Sequence, residues 1–151
     1  MKRYDKLLFV DMNNTSVSPM AEAISQQQFL LEDILIESRG MVVLFPEPIN
    51  PKAEAILASR SLSLKDHTSC SLAPEDFDER TLILAIGPSV RDRILQSFEG
   101  AVNVYELCEY LSDTGGVPDP YGGELADYGH CYERLKELID QLADKLEQED
   151  K

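Results

Sequence analysis

Short apolar runs alternate along this chain with longer stretches in which apolar residues return every three or four positions. Leu7-Leu8-Phe9-Val10, just after Lys6, is such a run, and its continuity suits a strand of a parallel sheet buried on both faces. From Ser18-Pro19 onward, Met20, Ala23, Ile24, Leu30, Leu31, Ile34 and Leu35 recur at helical spacing, which predicts one long helix ending near Gly40. Ser18 reads as its N-cap and Pro19 as its first residue, where a missing N–H has no intrahelical partner. Met41–Phe45 reads as the second strand. Pro46 and Pro48 then mark a turn, and Pro51 opens a helix through about Arg60. Residues 61–80 are polar and irregular, with one helical turn near Ala73–Asp76. Thr81–Ile86 is the third strand, Ser89–Phe98 an amphipathic helix, Ala101–Tyr105 the fourth strand, and Leu107–Leu111 a short helix. A Gly/Pro-rich loop, Asp113–Gly123, leads into a last helix from about Glu124 to Glu147, with a buried stripe of Tyr128, Cys131, Leu135, Leu138, Ile139, Leu142 and Leu146.

Strands alternating with helices predict one α/β domain over residues 1–151, a four-stranded parallel sheet flanked by helices on both faces. Ligands of such sheets bind beyond the carboxyl ends of the strands. That rule singles out two loops, Asp11–Val17 after the first strand and Asp113–Gly123 after the fourth.

Composition narrows the function. With 28 acidic against 14 basic residues the net charge is −14, which repels nucleic acid and anionic membrane. No apolar stretch is long enough for a membrane span, and Met1–Phe9 reads as a first strand and not as a signal peptide. Cys70, Cys108 and Cys131 are odd in number and widely spaced, so neither a disulfide framework nor a zinc site is predicted. A reducing cytoplasm is the expected compartment. Cys131, on the buried stripe of the last helix, reads as a core residue and not as a reactive thiol.

The segment Phe9-Val10-Asp11-Met12-Asn13-Asn14-Thr15-Ser16-Val17-Ser18-Pro19-Met20-Ala21-Glu22-Ala23 resembles the phosphate-binding loop of the low-molecular-weight protein tyrosine phosphatases. That family carries Cys, five residues, Arg, Ser and very commonly Pro-Met-Ala-Glu-Ala directly after its first strand. Ser18–Ala23 matches that tail residue for residue, and Asn14 falls on the loop Asn. Asp119-Pro120-Tyr121 resembles the family's Asp-Pro-aromatic loop, the source of its general acid. Asn50-Pro51-Lys52-Ala53 through Asp66-His67-Thr68-Ser69 resembles its helix and Asp-His-x-Ser turn, where His67 would be structural. The resemblance spans nearly the whole chain. It implies a Rossmann-like three-layer fold with strand order 2-1-3-4, and a phosphotyrosine protein phosphatase, a hydrolase.

The residues that carry the chemistry depart from the pattern. Asp11 stands at the position of the nucleophilic Cys, Val17 at that of the phosphate-clamping Arg, Asn13 at that of a loop Gly, and Ser16 where another Cys is common. A thiolate in such a loop is stabilised by backbone N–H groups and a helix N-terminus, while Arg holds two phosphate oxygens in a bidentate fork. Val17 supplies neither charge nor donors, and Asp11 sets a negative charge where phosphate would enter. The Asp11 carboxylate is itself an anion that can fold into the loop's ring of amides.

Three readings follow. The first is a pseudophosphatase, a binding or regulatory module working through the altered loop of Met12, Asn13, Asn14, Thr15, Ser16 and Ser18, toward a protein or small-molecule ligand. The second is a phosphoester hydrolase with changed chemistry, using Asp11 as nucleophile or metal ligand and Asp119 as general acid. Locally, Asp11-Met12-Asn13-Asn14-Thr15 resembles the Asp-x-Asp-x-Thr motif of haloacid-dehalogenase-like phosphatases, but the second Asp is Asn13. Asp11 and Asp119 together could also attract magnesium, although two carboxylates without matched spacing do not define a metal site. The third is an interaction protein using another surface, such as an exposed face of the last helix or a homodimer contact. No cofactor is implied.

Overall fold

The computed structural model describes residues 3–150. Four parallel strands, β1 (Lys6–Asp11), β2 (Leu35–Gly40), β3 (Thr81–Ala85) and β4 (Val104–Glu106), lie in the order β2-β1-β3-β4. This is the order that the resemblance implies. Helices α1 (Val17–Gln28), α2 (Pro51–Ser59), α3 (Pro88–Ser97), α4 (Leu107–Tyr110) and α5 (Leu125–Glu149) alternate with or follow them, and a single 3₁₀ turn occupies Pro74–Asp76.

Strand alternation divides the core. Leu7, Phe9, Leu82 and Leu84 point to one face, under α1, α2 and α5; Leu8, Val10, Ile83 and Ala85 point to the other, under α3. Burial on both faces is what makes β1 and β3 read as unbroken apolar runs. All seven stripe residues predicted for α5 are buried. No helix among the described residues is long and apolar enough to cross a membrane.

Four expectations are corrected. The first helix stops at Gln28 and not near Gly40. Leu30, Leu31 and Leu35 continue its spacing in sequence but are exposed. Its N-cap position is Ser16, so Ser18 is the second helical residue and Pro19 the third. The second strand is Leu35–Gly40, not Met41–Phe45. β2 is an edge strand with one covered face, so only Ile36, Ser38 and Gly40 are buried. Its outward Glu37 pairs with Lys6 and Arg39, a charged rim that discourages edge-to-edge pairing. Met41 and Val42 instead bond along the loop after β1, through Met41 N to Asp11 O and Val42 N to Met12 O, while Leu44 and Phe45 face solvent. β4 begins three residues later than predicted, after Asn103 takes a left-handed conformation (φ 54°) and its side chain donates to the Asp78 and Glu79 carbonyls.

α2 is tied to the loop after β1, because Asn50 donates its amide to the Thr15 carbonyl while its side chain caps the Lys52 and Ala53 amides. Asn50→Ala is expected to cost about 1 kcal/mol, read as a lower urea midpoint at unchanged slope. An unchanged midpoint would mean the cap contributes nothing here.

Candidate functional site

Beyond the carboxyl ends of β1 and β3 the chain opens a cavity of about 320 Å³. One wall is the loop after β1, contributing Asp11, Met12, Asn13, Thr15, Ser16 and Val17. The opposite wall is Val117, Pro118, Asp119 and Tyr121, and Ile86, Ser89 and Val90 close the end beside α3. The fold therefore brings the two loops singled out in sequence to one cleft. Ile86, Ser89 and Val90 were not anticipated; the available signal was Gly87-Pro88, a chain break at the carboxyl end of β3.

The Asp11 carboxylate is turned into its own loop. Its Oδ1 accepts from the Asn14 amide and the Ser18 hydroxyl, and its Oδ2 from the Ser18 amide, each at 2.8 Å. The Ser18 amide belongs to the first turn of α1, where unpaired N–H groups and the helix dipole favour a negative charge. Burial pushes the Asp11 carboxyl above the usual carboxylate range; the three donors pull the other way, and Asp119 across the cleft adds to the rise.

Asn14 and Ser18 lie beneath the cavity and do not line it. Asn14 is fully buried in a left-handed conformation (φ 58°), which Asn tolerates better than most residues. Its Nδ2 donates to the Ser18 and Ser38 hydroxyls, both at 2.9 Å; Ser18 then donates to Asp11, and Ser38 to Glu22 at 2.6 Å. Two relays thus leave one amide and each ends on a carboxylate. The Asn14 Oδ1 accepts from the Cys70 amide at 2.9 Å, and its main-chain carbonyl from His67 Nε2 at 2.8 Å. His67 is a brace for the loop, as the resemblance implies. Burial also pushes Glu22 upward, against the pull of the Ser38 hydroxyl.

The other wall is held from α5 and α2. Arg134 bonds Asp113 and the Gly116 carbonyl, and Lys52 donates to the Gly123 carbonyl at 2.6 Å. The Arg134 guanidinium holds the Asp113 carboxyl well below the usual carboxylate range. Asp119 itself is exposed, and its Oδ1 accepts the Tyr121 amide at 3.0 Å, a local turn bond. Cys131 is fully buried behind the cleft; burial pushes its thiol up to about 12, in keeping with a core residue. No group of three or more His, Cys, Asp or Glu suited to a metal ion occurs among the described residues.

Residues 6–151 match the family described as low molecular weight phosphotyrosine protein phosphatase. The chain belongs to that family. Among its relatives, a protein-arginine-phosphatase of Geobacillus stearothermophilus is 31% identical over 146 residues, covering 95% of this chain and 97% of that one. The low molecular weight protein-tyrosine-phosphatase PtpB of Staphylococcus aureus is 32% identical over 140 residues, covering 92% and 97%. The crystal structure of a low molecular weight protein tyrosine phosphatase from T. tengcongensis superposes with a TM-score of 0.87 at 31% identity, over 93% of this chain and 98% of that one. In this member of the family the loop after β1 and the Asp119 loop face each other across a common cleft.

Proposed function

We propose that this phosphatase-family chain is a pseudophosphatase, a binding or regulatory module that works through its cleft without the family's covalent chemistry. The observation that carries this reading is the seating of Asp11. By the resemblance, Asp11 holds the nucleophile's position, and its carboxylate takes two of the loop's amides and a hydroxyl for itself. A phosphate dianion would have to displace that carboxylate or approach it without an arginine, because Val17 holds the position of the clamp. Loss of a single preorganised donor commonly costs ~10²–10³ in rate, and loss of a nucleophile more. Relatives named protein-arginine-phosphatase and low molecular weight protein-tyrosine-phosphatase support phosphorylated protein side chains as the groups from which this altered cleft has diverged. In this reading Asp119 survives as the turn residue that its bond to Tyr121 makes it.

The test is hydrolysis of para-nitrophenyl phosphate, with and without magnesium, beside Asp11→Ala and Asp119→Ala. Turnover of the parent protein is expected to be no higher than that of either variant in both buffers. Turnover that requires both aspartates would make the chain an aspartate-dependent phosphohydrolase instead.

A further inference from the structure

At the other end of the sheet from the cleft, where β1 and β2 begin, the surface holds a second concavity, of about 490 Å³. One wall is the chain leaving α1, with Phe29, Glu32 and Ile34. The other is the last two turns of α5, where Ala143, Leu146, Glu147 and Asp150 fall at positions i, i+3, i+4 and i+7 and Asp144 stands beside them. Tyr4, Phe29 and Leu146 belong to the core, so the groove opens onto apolar surface. Next to it the same connection leaves Leu30 68%, Leu31 97% and Leu35 56% exposed, an apolar cluster of the kind that marks a contact site. The rim is negative from two sources. Glu32, Asp144 and Glu147 are exposed and make no hydrogen bond or ion pair with a described residue. α1 and α5 both end here with no basic residue in the last turn, so two negative dipole ends add to those carboxylates. Among the described residues no Lys, Arg or His lines the groove. Lys136 is paired with Asp140 and Lys145 with Glu149, and the Arg3 guanidinium lies over the Tyr4 ring.

We propose that this groove docks a basic amphipathic helix of a partner protein, its aliphatic face against Phe29, Ile34, Leu146 and the exposed leucines, its Lys and Arg residues against Glu32, Asp144 and Glu147. The surface lies away from the cleft, and the inference does not depend on the pseudophosphatase reading. The α5 wall is a ridge at helical spacing, and a partner helix offers anchors at the same spacing. Its Lys and Arg stems can lie on apolar surface while their charged heads reach the rim. A second copy of the chain fits less well. A two-fold contact sets the same patch on both copies, so these carboxylates and helix ends would face their own kind, between chains of net charge −14. The same charge repels an anionic lipid surface. An added strand meets the charged edge of β2, at Glu37, Lys6 and Arg39. The net charge draws a basic helix from a distance.

The experiment is an NMR titration of the ¹⁵N-labelled full chain with designed helical peptides. The first carries leucines on one face flanked by Lys and Arg; a second keeps the leucines but has Glu flanks; a third keeps the basic flanks but has serine for leucine. The first is expected to give saturable shifts centred on residues 28–35 and 143–150, and the other two none. Glu32→Lys, Asp144→Lys and Glu147→Lys together are expected to weaken its binding ~10-fold or more. Glu75→Lys, Glu79→Lys and Glu99→Lys, also exposed, change the net charge by the same amount and are expected to leave affinity within ~2-fold of the groove-intact parent. Leu31→Ser is expected to weaken binding ~3-fold or more. All of these positions are exposed, and circular dichroism with the urea midpoint checks that each variant keeps the fold. Absence of saturable shifts would overturn the inference. So would shifts spread over the whole acidic surface, equal weakening by the two triple variants, or an equal response to the serine peptide, each of which means bulk charge attraction. A mass that rises with concentration, with shifts at the same residues in the chain alone, would overturn it in favour of a second copy.

Discussion

The Asp11→Cys, Val17→Arg double variant is expected to hydrolyse para-nitrophenyl phosphate at least ~10²-fold faster than the parent chain. The bed for that chemistry is in place. The amides of Asn14 and Ser18, which now hold the Asp11 carboxylate at 2.8 Å, lie where a thiolate at position 11 would be stabilised by the start of α1. Residue 17 is the first of that helix and lines the cavity, so an arginine there can present its fork to a bound phosphate. Asp119 lines the opposite wall, and in the double variant it is expected to serve as the proton donor for the leaving oxygen. The single variants are expected to gain far less, because nucleophile and clamp act as a unit. Adding Asp119→Asn to the double variant should lower the new activity. A double variant that keeps its circular dichroism and urea midpoint yet gains nothing would show that loop geometry, and not only side-chain identity, has left the catalytic arrangement.

Asn14→Ala is expected to destabilise the fold by about 3–5 kcal/mol, out of the ~5–15 kcal/mol typical of a domain. The side chain is fully buried and makes three hydrogen bonds. Its removal strands the Cys70 amide and takes the donor from both Ser18 and Ser38. It also leaves a residue poorly suited to φ 58° in a left-handed conformation. Urea unfolding of parent and variant measures the difference. A loss below ~1 kcal/mol would mean that water replaces these bonds, and that the loop is held mainly by His67 and by the Met41 and Val42 amides.

Much of this was legible in the sequence because the signals were strong and local. β1 and β3 are apolar on both faces, and the stripe of α5 repeats over about five turns. Ser18–Ala23 and Asp119–Tyr121 carry family patterns at the correct distance from those elements. What misled was chain whose burial is decided by neighbours. Leu30, Leu31 and Leu35 continue the spacing of α1 but project into solvent, and an edge strand, Leu-Ile-Glu-Ser-Arg-Gly, has too few apolar residues to stand out against Met41–Phe45. The relay through Asn14, Ser38 and Glu22 was also invisible. It joins positions up to 24 apart through side chains that read singly as ordinary polar residues. The cradle around Asp11 was foreseeable as a possibility from a carboxylate before a helix N-terminus, but its partners were not.

The order in which the chain is made sets a further demand. β1 and α1 come first, yet β1 must pair with β3, where Lys6 lies opposite Thr81, and the face that carries Phe9, Met20 and Ile24 is closed by α5, the last element. At ~5–20 residues per second, roughly 6–24 s separate synthesis of the end of α1 from that of the end of α5. Throughout that interval the early half presents an apolar surface with nothing to cover it. The cleft is likewise split in time, since its Asp11 wall exists long before its Asp119 wall. A nascent or prematurely ended chain therefore offers chaperones and proteases a hydrophobic sheet face, and the finished cleft appears only with the closing helix.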